Sequence, residues 1–118
     1  MFKELLEQDG FILLDGAMGT MLQARGLHAG EAPELLSLTH PDMIQEIHRC
    51  YIDAGARAVY TNTFGANRYK LAGTGESVET VISAAVANAK KACEGTGTLV
   101  ALDIGPIGQL LEPNGALT

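Results

Sequence analysis

Along this chain, short unbroken apolar runs alternate with longer stretches in which apolar residues recur at helical spacing. The first stripe, Phe2, Leu5 and Leu6, predicts a short helix ending at Asp9-Gly10. "FILLD" (Phe11–Asp15) is a continuous apolar run closed by an acid, which predicts a strand buried on both faces. Gly19–Arg25 reads as a short helix closed by Gly26, and Leu27–Leu38, interrupted by Pro33, reads as irregular. A better-marked helix opens at Thr39-His40-Pro41-Asp42, which offers a capping side chain, a proline near the first helical position and an acid in the first turn. Met43, Ile44, Ile47, Cys50, Tyr51 and Ala54 carry its apolar face as far as Gly55. "RAVYT" (Arg57–Thr61) predicts the next strand. Glu76–Cys93 predicts a long helix, with Val78, Val81, Ile82, Ala85, Ala89 and Ala92 on one face and Lys90-Lys91 at its negative end. "TLVALD" (Thr98–Asp103) predicts a third strand.

Strands separated by helices long enough for crossovers predict a parallel sheet, and so an α/β fold. A chain of 118 residues is enough for one ordinary domain or for part of a larger one. With 47% hydrophobic and 19% charged residues, it is globular rather than disordered. Its net charge of −6 argues against a nucleic-acid partner, which calls for a basic footprint. "MFKELLEQDG" has no apolar core of a signal peptide, and no apolar run is long enough to span a bilayer, so no membrane partner is expected and the cytoplasm is the expected compartment. Cys50 and Cys93 form no Cys-x-x-Cys pair and are expected to stay free thiols.

All three predicted strands end in polar residues: Asp15, Thr61-Asn62 and Asp103. In parallel α/β proteins the C-terminal strand ends share one rim, where ligands bind. Polar strand ends are equally what any strand leaving a core displays. The turn after the first run, "DGAMGT", has the pattern Gly16-x-x-Gly19, which is neither G-x-G-x-x-G nor a lysine-bearing phosphate loop, and Asp15 would repel a phosphate. A carboxylate beside exposed backbone N–H groups suits a zwitterion instead. Asp15 would take an ammonium, and the amides of Gly16 and Ala17 a carboxylate, as an amino acid requires. The plainer alternative is that Asp15 caps its own turn.

"ILLDGAMGTMLQARGL", "PDMIQEIHRCYIDAGARAVYTNTFGANRYKL" and "VALDIGPIGQLLEPNGAL" resemble, in order and over nearly the whole chain, the start of the homocysteine S-methyltransferase domain. The similarity is strongest to the homocysteine-binding domain of the cobalamin-dependent methionine synthases, with "DGAMGT" and "TNTFGAN" the specific motifs. The resemblance implies a (β/α)₈ barrel, which takes about 250 residues. Residues 1–118 would then be its N-terminal part, holding the first three strands and their helices. It implies methyl transfer from methylcobalamin to the zinc-bound thiolate of homocysteine, giving methionine, with zinc cysteines downstream of Thr118 and none in this stretch. It also implies folate and cobalamin domains later in the same chain. By carry-over Asp15 binds the substrate ammonium and the Gly16 and Ala17 amides its carboxylate, while Asn62 and Thr63 fall on the pocket rim. Asp103 lies in the third strand-end motif, as a structural or rim residue. The fragment alone is expected to be inactive and to self-associate through open sheet edges.

Other residues take bland readings. Cys50 and Cys93 read as buried small hydrophobes. His28, His40 and His48 read as solvated or capping, and Glu4, Glu7, Glu31 and Glu34 as a solvated face. Two other functions remain open: a homocysteine methyltransferase fused to a methylenetetrahydrofolate reductase, and a non-catalytic amino-acid-binding module.

Overall fold

Ser77 Oγ accepts the Thr80 N–H at 3.1 Å and opens a helix over Val78–Cys93, the longest element of the computed structural model, which describes all of residues 1–118. In chain order the elements are α1 (Phe2–Asp9), α2 (Met18–Gln23), a 3₁₀ turn (Pro33–Leu35), α3 (Leu36–Thr39), α4 (Pro41–Asp53), β1 (Ala58–Tyr60), α5 (Val78–Cys93) and β2 (Leu99–Ala101). β1 and β2 pair in parallel, with Ala58 opposite Leu99 and Tyr60 opposite Ala101, and α5 makes the crossover between them. The fold is therefore mixed α/β around a small parallel sheet.

The helical layer covers one face of that sheet. Val59, Ala56, Ala89 and Cys93 form one buried cluster, against which Tyr51, Ile52 and Val100 pack. Leu22, Ile44 and Ile47 form a second between α2 and α4, again with Tyr51 against it. Leu14 and Tyr60 share the opposite face and are exposed; Phe11, Leu13 and Leu102 are exposed as well.

Phe11–Asp15 departs from its predicted form. It is not a strand buried on both faces but an extended run with one parallel bridge, Leu14 to Ala58. Arg57 N–H reaches the Leu13 carbonyl at 2.7 Å, and Asp15 N–H reaches the Ala58 carbonyl at 3.1 Å. The next donor of β1 on that side, the Tyr60 N–H, goes to Asp15 Oδ2 at 3.1 Å instead of to a main-chain carbonyl, which ends the ladder. Bonded along one edge and covered on no outer face, the run leaves Phe11 67% exposed.

The predicted cap of α4 also fails. Thr39 closes α3, and its hydroxyl bonds back to the Leu35 carbonyl (3.3 Å) and to His40 Nδ1 (2.9 Å), so no side chain caps α4. The buried face of α4 is Ile44, Gln45, Ile47 and His48, which turns Cys50 out into solvent rather than into the core. His48 is fully buried, not solvated, and neither ring nitrogen has a partner. Glu34 is buried too, not part of a solvated face, because it is the acceptor for a loop amide described below. Cys93 is buried as expected, and both thiols are free.

Candidate functional site

Because the strands run in parallel, the ends of Phe11–Asp15, β1 and β2 emerge at one rim, in that spatial order. Two threonines lock this rim. The Asp103 N–H donates to Thr61 Oγ1 (3.2 Å), Thr61 Oγ1 and Thr63 Oγ1 lie 2.8 Å apart, and Thr63 Oγ1 donates to the Asp103 carbonyl (2.6 Å). Since the Thr63 proton is committed to that carbonyl, Thr61 must donate to Thr63, so the four groups close a directed ring. The ring ties the loop after β1 to the loop after β2 with every hydroxyl both donating and accepting.

Asp15 sits on the other side of β1. Its Oδ2 holds the Tyr60 amide, and its Oδ1 accepts no hydrogen bond from the protein. Burial raises its pKa above the ordinary carboxylate range; the Tyr60 and Asp15 amides pull it back, and the Asp103 carboxylate pushes it up further. Two carboxylates thus flank the end of β1 with no cation paired to either. The amides of Gly16 and Ala17, next in the chain, have no protein acceptor. Gly16 has no room for a side chain, since a Cβ there would lie 2.9 Å from Cε1 and Oη of Tyr51. Tyr51 Oη in turn donates to the Ala17 carbonyl at 2.7 Å.

Asn62 does not lie on the rim. It is buried, and its Nδ2 donates to the Pro33 carbonyl (2.8 Å) and to Ser37 Oγ (3.2 Å). Glu34 Oε1 completes that contact by accepting the Gly65 N–H at 2.7 Å, and any side chain at Gly65 would meet the same carboxylate. Asn62 and Glu34 therefore fasten "TNTFGAN" to the 3₁₀ turn beneath it. Thr63 and Asp103 line a cavity of about 220 Å³ with Phe64, Asn67, Ile82 and Ile104, whereas Asp15, Gly16, Ala17 and Asn62 line none of it.

The sequence marks Tyr51 only as part of an apolar helix face and Glu34 only as one acid of a solvated face. Tyr51 sits at a core-facing position of an apolar stripe, and only the proximity of Gly16 and Ala17 in space marks it. Glu34 carries a weak signal, an acid directly after Pro33 at the foot of a turn. No three His, Cys, Asp or Glu side chains converge to hold a metal. Cys50 is exposed on α4, far along the sequence from Cys93, whose thiol is held protonated by burial and then by the nearby Asp15 charge. No helix is long and apolar enough to cross a membrane.

A family model described as homocysteine S-methyltransferase matches residues 12–118. A methionine synthase of Mycobacterium tuberculosis is 52% identical over 61 residues, which is 45% of this chain and 5% of that protein. The homocysteine S-methyltransferase of Escherichia coli is 33% identical over 122 residues, covering 92% of this chain and 39% of the relative. The crystal structure of a homocysteine methyltransferase from Escherichia coli, in its metallated form, superposes with a TM-score of 0.81 at 32% identity, over 91% of this chain and 42% of that one. Its oxidised form superposes equally well, again at a TM-score of 0.81. The chain thus spans about two-fifths of the Escherichia coli relative and about a twentieth of the mycobacterial one.

Proposed function

The chain belongs to the homocysteine S-methyltransferase family, and from that premise we propose that the protein carrying it moves a methyl group onto the sulfur of homocysteine, giving methionine. We read its small sheet as the opening part of a (β/α)₈ barrel, a fold of about 250 residues. The observation that carries this reading is the pairing, at one open rim, of a carboxylate with a free oxygen and two neighbouring amides with no acceptor: Asp15 with Gly16 and Ala17. Asp15 Oδ1 takes the ammonium of homocysteine. The Gly16 and Ala17 N–H groups take its carboxylate, and the thiol is left pointing away from this grip.

The electrostatics favour a cationic head at that place. Burial and the Asp103 charge hold the Asp15 carboxyl above its ordinary range, and an ammonium between the two acids relieves both penalties. Thr63 and Asp103 form the rim through their hydrogen-bonded ring, and Asn62 supports it from below. In this reading the contribution of residues 1–118 is binding and orientation. Zinc and methylcobalamin belong to parts of the enzyme beyond this stretch, as do the folate and cobalamin domains, and the cytoplasm is its compartment. The 52% identity to a methionine synthase supports methionine as the product. The homocysteine S-methyltransferase of Escherichia coli, aligned over 92% of the chain, supports homocysteine as the acceptor and specifies no donor, so a donor other than methylcobalamin is the second reading.

Calorimetry with homocysteine tests the grip. Asp15→Asn is expected to weaken binding roughly tenfold or more, the worth of a charge-assisted hydrogen bond. Unchanged affinity overturns the reading. Methyl transfer by the full-length protein with and without methylcobalamin separates the two donors, and binding with no transfer under either condition points to an amino-acid-binding module.

A further inference from the structure

Tyr51 reaches the Asp15–Ala17 turn twice from the helical layer. Its hydroxyl donates to the Ala17 carbonyl, and its ring edge lies against Gly16 so closely that no side chain fits there. The ring is itself held, because it packs against both hydrophobic clusters, the one around Val59 and Ala89 and the one around Leu22, Ile44 and Ile47. A phenol wedged between two cores does not follow the turn; the turn follows it. The Gly16–Ala17 turn is thus bracketed by Tyr51, which closes off the space a side chain at Gly16 would need and holds the Ala17 carbonyl. Held at these two places, the turn has fewer backbone conformations open to it than a free glycine turn.

We propose that Tyr51 is a positioning residue for the carboxylate half of the amino-acid grip: it braces the Gly16–Ala17 turn so that its amides are held ready for the ligand. The inference rests on the reading of Asp15, Gly16 and Ala17 as that grip. It assigns the two halves to different supports. Asp15 is set by the sheet, through the Tyr60 amide, and the amides are set by α4, through Tyr51. Preorganised donors of this kind cost little to align when a ligand arrives, whereas a loose peptide must lose its freedom at that moment. A tyrosine does here what a phenylalanine cannot, since only the hydroxyl holds the Ala17 carbonyl.

The test compares two ligands in the full-length protein: homocysteine and 3-aminopropane-1-thiol, which is homocysteine without its carboxylate. Tyr51→Phe is expected to raise the Kd for homocysteine roughly 2–10-fold, the worth of one neutral hydrogen bond, and to leave the Kd for the aminothiol unchanged. Asp15→Asn is expected to weaken both ligands. Any loss of folded protein in Tyr51→Phe scales both ligands alike, so the ratio of the two Kd values reports positioning alone. An equal change for both ligands, or no change for either, overturns the role of Tyr51 while Asp15→Asn still weakens both. If Asp15→Asn alters neither, the grip itself is wrong.

Discussion

Asp15 shows how one side chain serves a ladder and a site at once. Its Oδ2 ends the strand pairing by taking the Tyr60 amide, and this leaves Oδ1 for an external donor. Its pKa is raised chiefly by burial, so the folded state holds the proton more tightly than the unfolded chain. Stability from this group is then present at low pH and lost as pH rises through the raised value. Asp15→Asn is therefore expected to leave Tm at pH 7 the same or higher, by calorimetric unfolding, while homocysteine affinity falls. Homocysteine affinity of the unmutated protein should also decline on acidification at a higher pH than an ordinary carboxylate would give. His48 has the opposite sign. Burial alone lowers its pKa to about 4, so between about 4 and its ordinary 6.5 the unfolded chain binds the extra proton. Its contribution is complete above 6.5 and is lost as pH falls toward 4, a swing of at most about 3 kcal/mol. His48→Leu is expected to flatten urea stability between pH 7 and pH 5. A pH dependence as steep as that of the unmutated protein would refute the assignment.

Among the elements, α5 is the most plainly encoded and the most heavily used. Ser77 caps it, Lys90 and Lys91 close it, and its buried face follows the predicted stripe at Val81, Ala85, Ala89 and Ala92. Ser77→Ala is expected to cost about 1 kcal/mol in urea unfolding. Asn88, on the same buried face, is a different matter. Its Oδ1 accepts from Gln45 Nε2 (3.0 Å) and its Nδ2 donates to the Ser37 carbonyl (2.9 Å), while Ser37 Oγ lies 3.2 Å from Asn62 Nδ2. One buried chain of polar groups thus links α5 to α4, α3 and the loop after β1. Asn88→Ala removes the partner of the Gln45 amide and of the Ser37 carbonyl and is expected to cost about 2 kcal/mol or more, measured by urea unfolding, and to loosen "TNTFGAN" with it. An apolar stripe predicts the helix but not this network, because each member looks like an ordinary polar residue until its partner is brought beside it. The same blindness hid Glu34, whose partner Gly65 is 31 residues away.

At the scale of the molecule, the helices pack one sheet face and leave Leu14 and Tyr60 exposed on the other. Tyr60, Leu102, Leu13 and Leu14 are exposed, and Ile104 is 82% exposed in the loop beyond β2. Sheets so exposed recruit a partner surface. Residues 1–118 produced by themselves are expected to associate, with a sedimentation coefficient that rises with concentration, and a concentration-independent monomer would count against this.

Order along the chain was enough to determine the class of fold, the parallel arrangement, most helix limits and the motif that carries the family. Those features depend on local spacing and on residues that act through their immediate neighbours, such as Gly10 and Ser77 at helix ends. Tertiary structure decided the rest: that Phe11–Asp15 is an edge run rather than a buried strand, that Asn62 and Glu34 brace a loop, that Cys50 faces solvent, and that Tyr51 touches the glycine turn 35 residues before it. Burial and hydrogen bonding are properties of pairs. A sequence names each partner, but only the folded chain, by setting which elements stack and how far each helix is rotated, determines which of them meet.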